Sequence, residues 1–153
     1  MALRPDRNEH LTDLSFFMNE TAERGLLVVA STQGSGAAMD DSSAAVKIGA
    51  VANVATDKPV GLLLNDVVNL DLTRQHINYA KDEVQKGGKV LLLRRGTVVT
   101  DQISGAVTMG DPVHFMGAGQ LTSATLNTTS KQVGRFLSSK DADGFAKVEI
   151  NIV

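Results

Sequence analysis

The chain contains no cysteine and no tryptophan. Without cysteine, a disulfide framework, a thiolate metal site and a cysteine nucleophile are all excluded. One tyrosine and five phenylalanines bring aromatics to only 4%, so stacking surfaces for sugars or nucleobases are largely missing. There is also no excess of charge of one sign: 15 basic against 17 acidic residues leave a formal charge of −2. That balance offers phosphate no net attraction, and nucleic acid is not an expected partner. Long hydrophobic runs are absent too. The longest, such as residues 90–93, fall far short of the ~20 residues of a membrane span. Residues 1–8 carry charges with no apolar stretch behind them to form a signal-peptide core, which predicts synthesis in the cytoplasm.

What is present fits one ordinary domain, since a chain of 153 residues buries roughly 70% of its unfolded surface without help from metals or disulfides. Residues 1–12 read as a flexible N-terminal arm, because its first eight residues are polar, contain proline and have nothing to hold them onto a core. Residues 13–153 read as a single β domain. Two strands are expected at residues 14–18 and 26–30, with a helix over residues 10–24 as the competitor, since Leu11, Leu14, Phe17, Met18 and Thr21 also fall at helical spacing. Residues 33–43, dense in Gly, Ser and Asp, predict an exposed loop. Strands follow at 44–48 and across 60–64 and 66–70, the latter expected to bend or bulge at Asn65. Residues 73–88 are long and polar, and form the candidate loop insert with a job of its own.

Residues 89–101 carry the strongest strand signal, rich in branched side chains and interrupted at Gly96, where a bulge is expected. Gly110-Asp111-Pro112 turns the chain into residues 113–116, and a further strand covers 133–137. Residues 140–144 supply a hairpin turn into 145–153, which alternate apolar and polar. About eight or nine short strands with frequent turns predict an all-β fold, a small barrel or sandwich.

No group of residues forms a catalytic constellation. Gly34-Ser35-Gly36 lacks both the Gly-Lys-Ser/Thr ending of a phosphate loop and the spacing of a nucleophile elbow. Asp141-Ala142-Asp143-Gly144 offers too few oxygen ligands for a calcium loop and reads as a turn. His10, His76 and His114 lack metal-site spacing. Asp40-Asp41 and Asp82-Glu83 read as solvated turn formers. Arg94 and Arg95, adjacent in a strand, point to opposite faces and cannot form one phosphate clamp. No catalytic residue, metal or cofactor is expected.

Residues 60–78, reading Val-Gly-Leu-Leu-Leu-Asn-Asp-Val-Val-Asn-Leu-Asp-Leu-Thr-Arg-Gln-His-Ile-Asn, together with residues 81–90 and the Arg-Gly-Thr-Val-Val-Thr-Asp of 95–101, resemble tailed-bacteriophage head decoration, or capsid cement, proteins of the lambda type. Residues 16–25, 110–113, 133–138 and 148–150 resemble the same group, so the likeness spans most of the chain. It implies a small β-barrel of the β-tulip kind that assembles as a homotrimer on the outer capsid surface of the virion. There it would clamp neighbouring major capsid protein subunits and stabilise the expanded head. The insert at 73–88 departs from that pattern.

On this reading the partner contacts are expected from the arm, at Leu3, Arg4 and Arg7, and from the insert, at His76, Ile77, Asn78 and Tyr79, where apolar or aromatic residues stand among polar ones. The alternative from another class is a phage surface spike or adhesin-like module recognising host or glycan, against which the low aromatic content counts. A small hydrolase using Ser35 or the Asp40-Asp41 pair is a third, lacking the converging geometry such sites need.

Overall fold

Apolar runs with no polar alternation suit strands covered on both faces, whereas strict alternation suits a strand with one wet face, and this chain uses both. A computed structural model of the chain describes residues 3–31, 45–48, 56–64, 83–84, 86–124 and 131–152. In chain order the strands are β1 (Asn8–Asp13), β2 (Phe17–Met18), β3 (Ala22–Glu23), β4 (Leu27–Ala30), β5 (Ala45–Ile48), β6 (Pro59–Leu63), β7 (Glu83–Val84), β8 (Leu92–Thr100), β9 (Pro112–Phe115), β10 (Leu121–Thr122), β11 (Gln132–Phe136) and β12 (Ala146–Asn151). A 3-10 turn, Gly117–Gly119, separates β9 from β10. The fold is all-β, and the helix considered over residues 10–24 is replaced by β1, β2 and β3.

One mixed sheet runs in the order β10-β9-β11-β12-β8-β6-β4-β5-β2, with β1 laid on β8 and a separate β3–β7 pair. Among the described strands the pairings are antiparallel except β2 with β5, and an isolated bridge from Ile103 to Leu121 is also parallel. The terminal strands β10 and β2 do not pair with each other, so the described strands leave the sheet open where a closed barrel was expected. The runs at residues 26–29, 62–64 and 91–93 lie where the sheet is covered twice. Leu27, Val29, Leu62, Leu64 and Leu93 enter one core with Phe115, Phe136, Val148 and Ile150. Their neighbours Val28, Leu63 and Leu92 face a second, smaller core with Met18, Val46 and Val84. β12 alternates instead, with Ala146, Val148 and Ile150 inward and Lys147, Glu149 and Asn151 outward.

The largest departure from expectation is the N-terminal segment. Leu3 bridges Thr100, the Arg4 amide donates to the Val99 carbonyl at 3.0 Å, and β1 pairs with β8 from Asn8↔Thr97 to Asp13↔Leu92. The chain then continues along the same neighbour, with the Val90 amide donating to the Phe16 carbonyl at 3.0 Å and Phe17 bridging Lys89. Residues 3–18 thus line residues 87–100 in antiparallel fashion, and residues 3–12 are no free arm. The physical reason is that an edge pairing is made by main-chain groups, which polar side chains do not prevent. One apolar anchor, Leu3, secures the outer end.

The irregularity expected at Gly96 occurs beside it on both strands. The register skips from Glu9↔Gly96 to Leu11↔Arg95, leaving His10 as an extra residue on β1, and from Leu11↔Arg95 to Thr12↔Leu93, leaving Arg94 as one on β8. A Cβ at Gly96 would collide with the Asn8 carbonyl oxygen, so β1 can lie this close only over glycine. The loop expected at 33–43, the bend at Asn65 and most of the insert at 73–88 lie outside the described residues; within the insert, β7 pairs with β3.

Candidate partner-binding surface

Of the residues the sequence put forward for partner contact, Leu3 and Arg4 are used within the chain itself. Leu3 is 2% exposed and belongs to the larger core. Arg4 Nη2 lies 3.0 Å from an Asp141 carboxylate oxygen and 3.3 Å from one of Asp143, and its guanidinium stacks 4.2 Å from the Phe145 ring centroid. The segment is therefore pinned to the β11–β12 turn. Arg7 pairs with Glu9 at 2.6 Å. His76, Ile77, Asn78 and Tyr79 lie outside the described residues.

Asp141 is the organiser of that turn. Its Oδ1 accepts the amides of Phe145 at 2.8 Å and Asp143 at 3.0 Å, and its own amide donates to the Phe145 carbonyl. The Phe145 amide in the first place, and the Arg4 charge after it, hold the Asp141 carboxyl below the usual range. The Asp-x-Asp-Gly sequence thus forms the turn that its hairpin reading predicted, and in addition clamps Arg4. Asp13, at the other end of β1, is likewise held low, first by the Ser15 hydroxyl and with a further contribution from Arg94.

Two outward surfaces stand out among the described residues. The first is the solvent face of β8, β11 and β12, where Glu149 stands opposite both Arg135 and Thr97, Asn151 opposite Arg95, and Lys147 opposite Val99. The bulge at His10 opens a cleft of about 270 Å³ on it, lined by His10, Arg95, Gly96, Thr97 and Glu149. The second is the loop at residues 105–111, which ends in Met109, 70% exposed. This loop is braced from several sides: Gly110 N–H to Phe136 O at 2.8 Å, Asp111 N–H to Thr108 O at 3.1 Å, Thr108 N–H to Asp111 Oδ2 at 2.9 Å and Ser123 Oγ to Ala106 O at 3.0 Å. Val107 is tucked into the core beneath it. Met109 is thus held out rather than left loose, as a contact anchor should be.

Among the described residues there is no group of three or more His, Asp or Glu that could hold a metal ion. Among the described residues no helix is long and apolar enough to cross a membrane. His114 is buried and partnered on β9, and His10 is exposed at the cleft. What the surface offers is a broad polar face and a fixed apolar tip, both suited to a macromolecular partner.

The model of the XM1 gp53 minor capsid protein family matches residues 6–152. The chain belongs to that family. Among solved structures, the fold is similar to a chain of the capsid of Myoviridae phage XM1, at a TM-score of 0.59 and 15% identity, covering 99% of this chain and 92% of that one. A lesser likeness, TM-score 0.46 at 9% identity over 95% of this chain and 94% of that one, is to the base of the head fiber gp8.5 of bacteriophage phi29. No curated protein matches. As a member of the XM1 gp53 minor capsid family, the protein is a head-associated structural component of a phage virion. The resemblance to phage head proteins seen in the sequence holds at that level. The sequence did not put forward Arg135, Lys147 or Met109: Arg135 and Lys147 join Arg95 only through strand pairing, and the one signal for Met109 is a lone methionine between Gly105 and Gly110.

Proposed function

We propose that this family member binds the outer surface of the capsid and cements neighbouring major capsid protein subunits, stabilising the expanded head without catalysing any reaction. The match of the minor capsid family across residues 6–152 is the observation that supports this reading, because it accounts for nearly the whole chain. The open sheet, polar on its outward side and carrying the braced Met109, is compatible with it. A protein of this size acts by added buried area, and roughly 1,000 Å² or more with good complementarity is needed for each stable contact. Repetition over a shell makes many modest contacts act together, particularly when the binding unit is a homotrimer engaging several subunits at once. Arg7 and the insert residues His76, Ile77, Asn78 and Tyr79 stay in this proposal as further contacts; Leu3 and Arg4 act by fixing the N-terminal strand.

The test is to add the purified protein to expanded shells that lack it and to heat both preparations. Saturable binding with a raised shell disruption temperature is expected. Saturable binding that leaves the disruption temperature unchanged would reduce the role to decoration.

A further inference from the structure

The outward face of β8, β11 and β12 differs in its electrostatics from the N-terminal edge beside it. On that edge the arginines are engaged: Arg4 with Asp141 and Asp143, Arg7 with Glu9, and Arg94, at 3.9 Å, with Asp13. On the face, Arg95, Arg135 and Lys147 form no ion pair among the described residues. Arg95 and Arg135 are exposed and Lys147 half-buried. Residues directly opposite across antiparallel strands stand about 5 Å apart, so these cations are distributed around the single carboxylate of Glu149. The result is a locally basic face on a chain whose formal charge is −2.

At its centre, beside the residue that β1 skips, lies the cleft of about 270 Å³, walled by His10, Arg95, Gly96, Thr97 and Glu149. That space suits one side chain and is too small for the drug-sized ligands that usually fill pockets of about 300–1,000 Å³. We propose, resting on the capsid-binding reading above, that this face seats an acidic segment of the major capsid protein, with one carboxylate of that segment entering the cleft beside Arg95. Arginine is suited to this role because its planar fork binds a carboxylate bidentately. Duplex DNA is the less fitting polyanion. It presents a charge about every 1.7 Å, and three cations interrupted by Glu149 do not match that density.

The experiment measures occupancy of shells lacking this protein, by co-sedimentation at low and at raised salt, for the wild type, R95E/R135E/K147E and R95Q/R135Q/K147Q. Thermal unfolding of each free protein reports that it is folded, and if the reversal variant does not fold, the glutamine variant carries the test. Wild-type binding that weakens with salt, together with a loss of at least about tenfold on charge reversal and a smaller loss with glutamine, supports the proposal, since like charges juxtaposed at an interface are costly. Equal occupancy by wild type and folded variants overturns it while leaving capsid cementing intact. Failure of the wild type to bind shells overturns cementing itself and removes the partner assigned here. Tight binding of a short DNA duplex, abolished by the same substitutions while shell binding is unaffected, would reassign the face to nucleic acid.

Discussion

Leu3→Ala separates a docked N-terminal segment from a free arm. Leu3 is buried against the larger core at 2% exposure, and the Arg4 amide beside it is bonded to Val99 at 3.0 Å. Truncating a buried leucine costs about 2–5 kcal/mol, depending on how far the site relaxes. The edge segment can peel back and let neighbours close in, which sets the expectation near the lower end, about 2–3 kcal/mol. For a domain of roughly 150 residues each kcal/mol moves the midpoint by about 2–4 °C, so the fall should be about 5–10 °C. Denaturant and thermal unfolding should be run at one fixed protein concentration, because any oligomer contributes to apparent stability. Amide exchange supplies the local readout: the Arg4 amide and the paired amides of β1 should be protected in the wild type and should exchange faster in Leu3→Ala. An unchanged midpoint, with the Arg4 amide unprotected in both proteins, would refute the docked strand and restore the free arm.

Deleting residues 3–7 should lower the midpoint at least as much as Leu3→Ala, with β8 amides losing protection; a fully stable truncated protein would contradict the pairing. Gly134→Ala would drive a Cβ into the Glu149 carbonyl and, with both strands fixed, should cost about 1–3 kcal/mol in denaturant unfolding, as overpacking does. Met109→Asp should leave the unfolding midpoint unchanged and reduce shell occupancy by about tenfold or more, the loss typical of an anchor residue, read by co-sedimentation. Acidification tests the turn. The Asp141 and Asp13 carboxyls are held below the ordinary 3.8, so their stabilising contributions are present above about pH 3.8 and are lost as pH falls through the lower folded values. The Phe145 amide resonance should therefore shift on acidification with a midpoint below pH 3.8.

The strands most legible in the sequence are those whose side chains do the work. β8 was visible as a branched-residue run, β12 as an alternation, and the turn between β11 and β12 from Asp141 and Gly144, because local chemistry decides each of them. The N-terminal segment was not legible, since Asn8-Glu9-His10-Leu11-Thr12 pairs through main-chain groups and leaves its side chains outside. Arg4 reads as a partner contact because a cation in a polar stretch looks the same whether it meets another protein or a turn of its own chain. The basic face was hidden for a different reason: Arg95, Arg135 and Lys147 become neighbours only once β8, β11 and β12 are in register. Gly96 marks the place of the irregularity, but the sequence of one strand does not reveal that its partner also carries an extra residue, His10 on β1 in addition to Arg94 on β8.

The most direct test of the cementing role is cryo-electron imaging of expanded heads assembled with and without this protein. Added density bridging adjacent major capsid subunits on the outer surface, absent from the undecorated heads, is predicted. Density confined within one subunit's footprint, or located only inside the shell, would contradict it.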